Sequence, residues 1–212
     1  MALRIPRKWF NKLRSIQSIR ANPNDAKKLK QSTPQALMDS MKDTDPFVRS
    51  LSIEVLGRLR ERAAVQPLIK SLDDNSRYVR EKAAIALGHI GDKSAVPALI
   101  KRMDDPSEEV RVTVAGVLGH LRDRVAVPAL IKALRDTSPV ARMKAAVSLG
   151  IIGDKRAVMP LYNTLGDPNE HMKKYALEAL CSIGRPAIPA LLMALKNDKL
   201  RAQAAQALLK IK

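Results

Sequence analysis

Four arginines, Arg49, Arg80, Arg111 and Arg142, recur at intervals of 31 residues, and each follows an aspartate by six positions, as in Asp74 and Arg80 or Asp105 and Arg111. A guanidinium fork repeated at fixed spacing can grip phosphates in series or clamp carboxylates of its own chain. A phosphate site would need further donors beside each arginine, and no such set recurs. Lys70, Lys101 and Lys132 make a second basic row, with Arg102 beside it, which reads as a solvated face or a contact for an acidic partner. His89 and His120 also stand one interval apart, but neighbouring helices lie about 8–10 Å from each other, too far for the two imidazoles to share a metal easily. Cys181 falls where the other copies carry glycine, with only Arg185 near it as a basic activator, so a packed thiol is expected rather than a nucleophile. Turns of the type Gly150-Ile-Ile-Gly-Asp154 lack the spacing and the preceding strand of a phosphate loop. No catalytic or metal-ligating constellation assembles.

The elements that position these residues are themselves repeated. Leu56, Leu87, Leu118, Leu149 and Leu180 are spaced by 31, and the next residue is Gly57, Gly88, Gly119 and Gly150, then Cys181; these glycines read as small turn residues. A period of this size marks an array whose units cannot bury their apolar faces alone. Each unit reads as two helices. In the shorter, Val127, Leu130, Ile131 and Leu134 fall at helical spacing behind a first-turn proline. A polar turn such as Asp104-Asp-Pro-Ser-Glu-Glu109 then starts the longer helix, which a Gly/Asp turn ends. Six such pairs begin near Thr33, Ala64, Ala95, Ala126, Ala157 and Ala187, and no segment alternates as a strand would. The fold class is all-α.

From Asp74 to Leu165 the pattern Asp-Pro-x-x-x-Val-Arg, then Ala-Leu-Gly-x-Ile-Gly-Asp, then Ala-Val-Pro-Ala-Leu-Ile resembles HEAT repeats, in the short form associated with phycobilisome bilin lyases, and it is traceable from about residue 32 to the end. The resemblance implies a right-handed α-solenoid over residues 32–212, with the repeated arginines forming a structural ladder between turns. It also implies that the longer helices line a concave groove. The groove candidates are then Phe47, Leu51, Tyr78, Lys82, Ile85, His89, Val112, Gly116, His120, Val140, Met143, Lys144, Val147, Ile151 and Tyr175. Acids and bases in these columns cancel, and the centre is apolar, which points to a protein or an apolar ligand. The competing reading is that superhelical curvature buries those side chains. Iron-binding hydroxylases of similar repeats use His-Glu dipeptides, and this chain has none.

Residues 1–31 do not fit the repeat and hold nine basic residues against one acid, out of a net charge of +17. Ile5, Trp9, Leu13 and Ile16 share a helical stripe with Phe10 beside it, among Arg4, Arg7, Lys8, Lys12 and Arg14. This is a basic amphipathic helix, suited to an anionic membrane or an acidic protein, or else a cap on the first repeat. With six aromatics in 212 residues, a stacking platform for nucleic acid is poorly provided. One cysteine excludes an internal disulfide and fits a reducing compartment. No apolar run is long enough to span a bilayer or follows the basic start as a signal peptide would, so a cytoplasmic protein is expected. The sequence therefore predicts a non-enzymatic protein-binding scaffold with no cofactor. The alternatives are a bilin-lyase-like, tetrapyrrole-handling subunit, by resemblance, and a binder of nucleic acid or anionic membrane.

Overall fold

Apolar spacing of 3 and 4 within each segment, and a polar break between segments, leave helix pairs as the only economical way to bury this chain. The computed structural model describes residues 34–211, so the basic arm expected over 1–31 lies outside the described residues. Among those described there are twelve α-helices and no strand. They are α1 (34–40), α2 (Pro46–Arg58), α3 (Val65–Ser71), α4 (Arg77–Ile90), α5 (Val96–Lys101), α6 (Glu108–Leu121), α7 (Val127–Ala133), α8 (Pro139–Ile152), α9 (Val158–Asn163), α10 (Glu170–Ile183), α11 (Ile188–Ala194) and α12 (Arg201–Lys210). The long, even-numbered helices from α2 to α12 stack each on the next, and each of the short helices α3, α5, α7, α9 and α11 packs on the long helix that follows it. This is an α-solenoid of six helix pairs, as the repeat predicts.

The core is one leucine deep per helix. Leu56, Leu87, Leu118, Leu149 and Leu180 on the long helices and Leu68, Leu99, Leu130 and Leu161 on the short ones are all 0% exposed. Each such side chain contributes about 1.5–3 kcal/mol on burial. The short α-helices begin one residue after Ala64, Ala95, Ala126, Ala157 and Ala187, and a 3-10 turn precedes each of them. Glu61, Asp92, Asp123 and Asp154 accept the N–H of the residue two positions on, and this tightens the entry into a 3-10 turn, as at Arg124–Ala126, before the α-helix starts.

The repeated glycines correct an expectation. Gly57, Gly88, Gly119 and Gly150 lie inside the long helices rather than in turns, at the point where each helix meets the next. A Cβ on Gly57 would sit 2.6 Å from the Ala86 Cα, and one on Gly150 2.8 Å from the Ala179 Cα. The helices terminate instead at the position held by Gly91, Gly153 and Gly184, with φ of 77°, 72° and 82°; Arg60 and Arg122 occupy the same position at 52° and 50°. At the fifth contact position Cys181 is half-buried and its Sγ donates to the Ala207 carbonyl at 3.5 Å.

The arginine ladder is present, and its carboxylate partners lie one repeat further on than the six-residue spacing suggests. Arg49 donates from Nε and Nη2 to both oxygens of Asp74 at 2.8 Å, and Arg80 with Asp105 and Arg111 with Asp136 do the same. Arg142 holds Asp167 more loosely, at 3.1 and 3.5 Å. The aspartate six residues earlier is used through its main chain: Nη1 of Arg80 donates to the Asp74 carbonyl at 2.9 Å, and Nη1 of Arg111 to that of Asp105 at 3.0 Å. Each carboxylate also accepts the N–H that opens the following helix, Asp74 from Ser76 at 2.8 Å and Asp136 from Ser138 at 2.8 Å. In the fifth copy Lys173 cannot fork; it binds Glu170 at 2.6 Å, Asp198 pairs with Arg201, and the ladder stops.

These contacts set the acid response. Burial pushes the Asp74 and Asp105 carboxyls up, but Arg49 or Arg80 and a serine N–H outweigh it and leave both below the usual carboxylate range. The Arg111 guanidinium holds Asp136 down against burial. Asp154 is pushed to about 2, first by the Arg156 guanidinium and then by the Arg156 N–H, again against burial. A lowered folded pKa gives stability that is complete above the unfolded value, about 3.9, and is lost as the pH falls through the folded one.

Gly150→Ala should destabilise the protein by about 1–3 kcal/mol although alanine is the better helix former, because the methyl group has no room; Gly166→Ala, with open space around it, is the control, and urea denaturation reads both. Arg111→Ala should cost about 2–3 kcal/mol at neutral pH by stranding the Asp136 carboxylate, and less at acid pH, where protonation removes the stranded charge. An equal loss at both pH values would show that the pair is not the source.

Candidate functional site

The long helices present their non-core side chains as columns, one residue per repeat, and the sequence candidates fall on that face. Phe47 and Tyr78 stand out at 57% and 60% exposed, with Val140 at 48% and Ile151 at 37%. His89, His120 and Lys144 are exposed, and Leu51, Lys82, Ile85, Val112, Gly116, Met143, Val147 and Tyr175 are half-buried. None of the fifteen is buried, so curvature does not seal the face. Met143 and Tyr175 rest partly on the core, and the Lys144 stem lies over Gly116, where a Cβ would sit 3.4 Å from the Lys144 Cδ.

Charge and apolar surface divide this face along its length. Towards the N-terminal end Glu54 takes both Lys82, at 2.7 Å, and Arg58, at 2.5 Å. Lys82 chiefly, against some desolvation, holds the Glu54 carboxyl below its ordinary range. Arg77 bridges to Glu109 at 2.8 Å, donates to the Tyr78 hydroxyl at 3.1 Å and lies 4.9 Å from the Tyr78 ring centroid. Further along, Val112, Val140, Met143, Val147 and Ile151 on α6 and α8 make an apolar stretch with no ion pair among them.

Among the described residues no three His, Cys, Asp or Glu side chains come together as metal ligands, and no helix is long and apolar enough to cross a membrane. Burial raises the Cys181 thiol, outweighing the lowering effect of Lys210, and so opposes a thiolate. The ladder arginines spend their donors within the fold and present no phosphate grip.

Two concavities were not legible in the sequence. A broad depression of about 1540 Å³ lies on the short-helix side, floored by Ile100, Ile131 and Met159, with the Arg111–Asp136 and Arg142–Asp167 rungs in its wall. A smaller cleft of about 380 Å³ opens between α10 and α12 and carries Lys173, Lys174, Lys199, Lys210 and Cys181. Both depend on how neighbouring units are offset, a property that a one-residue-per-repeat reading does not contain. The only signal was the column Ile69, Ile100, Ile131 and Tyr162, which remains half-buried throughout.

The family of HEAT repeats matches residues 34–107 and 96–165. No curated protein sequence matches the chain. Among solved structures, the complex of CpcE and CpcF of phycocyanin lyase from Nostoc sp. PCC7120 is similar at 28% identity and a TM-score of 0.64, over 82% of this chain and 75% of that one. An E. coli protein, YibA, is similar at 22% identity and a TM-score of 0.65, over 86% and 70%. A designed armadillo repeat protein, solved in complex with the peptide (KR)4, is similar at 21% identity and a TM-score of 0.60, over 84% and 99%. The last two likenesses concern the fold alone.

Proposed function

The chain belongs to the HEAT-repeat family, and we propose that its long-helix face is a docking surface for another protein, making it a non-enzymatic scaffold or adaptor. The observation that carries this reading is the apolar stretch on α6 and α8, Val112, Val140, Met143, Val147 and Ile151, left accessible on a chain of net charge +17. An accessible apolar strip flanked by Lys144, His120 and paired charges is the composition of an interface centre with a polar rim. Phe47 and Tyr78 extend the strip with aromatic anchors toward the N-terminal end. The basic segment at 1–31, with Arg4, Arg7, Lys8, Trp9, Phe10, Lys12 and Arg14, would add long-range attraction for an acidic partner, a nucleic acid or an anionic membrane in the cytoplasm.

A second reading is favoured by one observation, the 28% identity to a phycocyanin lyase structure that consists of two different subunits. On that reading the chain is one subunit of a bilin-handling pair, and the apolar strip meets the second solenoid or the tetrapyrrole. Co-expression with a bilin separates the two: visible absorbance that co-purifies with the chain favours the lyase-like role.

The test of the main reading is capture of partners from nuclease-treated native lysate at high salt, with mass-spectrometric identification. Met143→Glu combined with Val147→Glu should abolish capture of a discrete protein while helicity by circular dichroism is retained, since both side chains are accessible. Removing one apolar side chain from an interface centre costs about 1–3 kcal/mol, so the pair should weaken binding by roughly a hundredfold or more. Undiminished capture would remove the long-helix face from the interface.

A further inference from the structure

The turns that lead from each long helix into the next short one carry a basic residue at one structural position in five successive repeats. Arg62, Lys93, Arg124, Lys155 and Arg185 are each the first residue of the 3-10 turn that precedes a short helix. All five are exposed. The turns follow one another along a single edge, because the long helices stack in order and neighbouring turns touch. Arg156 donates from Nη2 to the Arg124 carbonyl at 3.0 Å, and Arg122 donates from Nη1 to the Ile151 carbonyl at 2.9 Å.

We propose that this row is a docking rail for an acidic polypeptide segment in extended conformation, gripped by one basic residue per repeat. It is a surface separate from the long-helix face, and the proposal does not depend on what that face binds.

Three observations carry it. First, these cations have no internal employment. Among the described residues Arg62, Lys93, Lys155 and Arg185 have no carboxylate within 4.0 Å. Arg124, 77% exposed, has only Asp154 at 4.0 Å, and Arg156 already holds that carboxylate at 2.8 Å. The ladder arginines on the other turns are the contrast, each forked onto an aspartate with its side chain no more than 16% exposed.

Second, bases outnumber acids along this edge. Glu61, Asp92, Asp123 and Asp154 each precede a rail residue, and their carboxylates accept main-chain N–H groups and cap the 3-10 turns. With Arg60, Arg122 and Arg156 beside the five rail residues, the edge carries eight bases against these four acids, so its net charge is positive.

Third, two repeats place an extra arginine here at a cost in backbone conformation. Arg60 and Arg122 stand in the left-handed region where Gly91, Gly153 and Gly184 stand in the other copies. A side chain is disfavoured there, and the Arg60 side chain makes no hydrogen bond within the described residues that would require it.

The spacing selects the occupant. Stacked helices repeat every 8–10 Å or so, and an extended chain advances about 3.3–3.6 Å per residue, so a carboxylate at every third position stays in step with the rail. Single-stranded nucleic acid would want aromatic faces. Phe47, Tyr78, Tyr162 and Tyr175 all lie on helices rather than on these turns. For insertion into a membrane the edge offers only Leu59 and Val125 as exposed large apolar side chains, two repeats apart. A second copy of this chain is a poor occupant, because its net charge is +17 and it contains no acidic run of this periodicity.

The experiment uses the full chain and a fluorescent synthetic peptide with glutamate at every third position among serine and glycine. A peptide of the same composition with its glutamates clustered is the comparison. Fluorescence anisotropy at low salt should show binding of the periodic peptide in preference to the clustered one. Lys93→Glu with Arg124→Glu and Lys155→Glu should weaken it by about tenfold or more, with helicity and Tm unchanged because all three side chains are exposed. Arg60→Gly should also weaken it while leaving Tm the same or higher, a combination that a merely structural arginine would not give. Met143→Glu with Val147→Glu should leave this binding untouched. Equal affinity of the triple variant, equal binding of the two peptides, or binding confined to single-stranded DNA or phosphatidylserine vesicles would each overturn the proposal.

Discussion

The constraint on which the rest of the structure depends is that three inter-repeat aspartates, Asp74, Asp105 and Asp136, each answer to two arginines. The Asp105 carboxylate takes the fork of Arg80 from the preceding repeat, and its carbonyl takes Nη1 of Arg111 from the following helix. The same carboxylate receives the Ser107 N–H and so starts the long helix. One residue thereby fixes where a helix begins, how far away the previous helix lies and where the next arginine must stand. Repeating that node makes a continuous polar seam from Arg49 to Asp167.

A seam of this kind fixes distance only if the helices can reach it, and the contact glycines make that approach possible. Gly57, Gly88, Gly119 and Gly150 remove the side chain at the point of closest approach, and the leucine one residue before each is fully buried. Where the seam ends, the pattern changes with it: Lys173 replaces arginine, Cys181 replaces glycine, and the last interface opens into a cleft between α10 and α12.

Most of the fold was legible because the chain states it repeatedly. Helix identity, the number of units and the buried leucines follow from the interval of 31, and the arginine seam from the resemblance to HEAT repeats. What was misread is instructive. Gly88 before His89 looks like a turn residue because glycine ends helices, yet the terminating glycine is Gly91, and only the neighbouring helix reveals what Gly88 is for. Asp74 and Arg80 are close in sequence, but the side chain of Asp74 belongs to Arg49, since a bidentate grip needs a carboxylate facing the fork rather than one beside it on the chain. The face carrying Met143 and Val147 could be traced from helical phase alone, while the depression beside Met159 could not, because it is made by the offset between units. Sequence order encodes phase well and offset hardly at all.

The same residue type thus serves opposite ends in this solenoid, and local geometry decides which. An arginine seven positions before the core leucine enters a turn where a carboxylate and two carbonyls converge, and it is consumed there. An arginine six positions after it, such as Arg62 or Arg124, follows an acid already committed to capping, and it is left facing solvent. Net charge alone does not distinguish the two populations. A charge that has lost its freedom holds repeats at fixed spacing, and that spacing is what turns the free charges into an evenly ruled edge. The rigidity of the seam is therefore the physical precondition for any periodic recognition along the opposite turns.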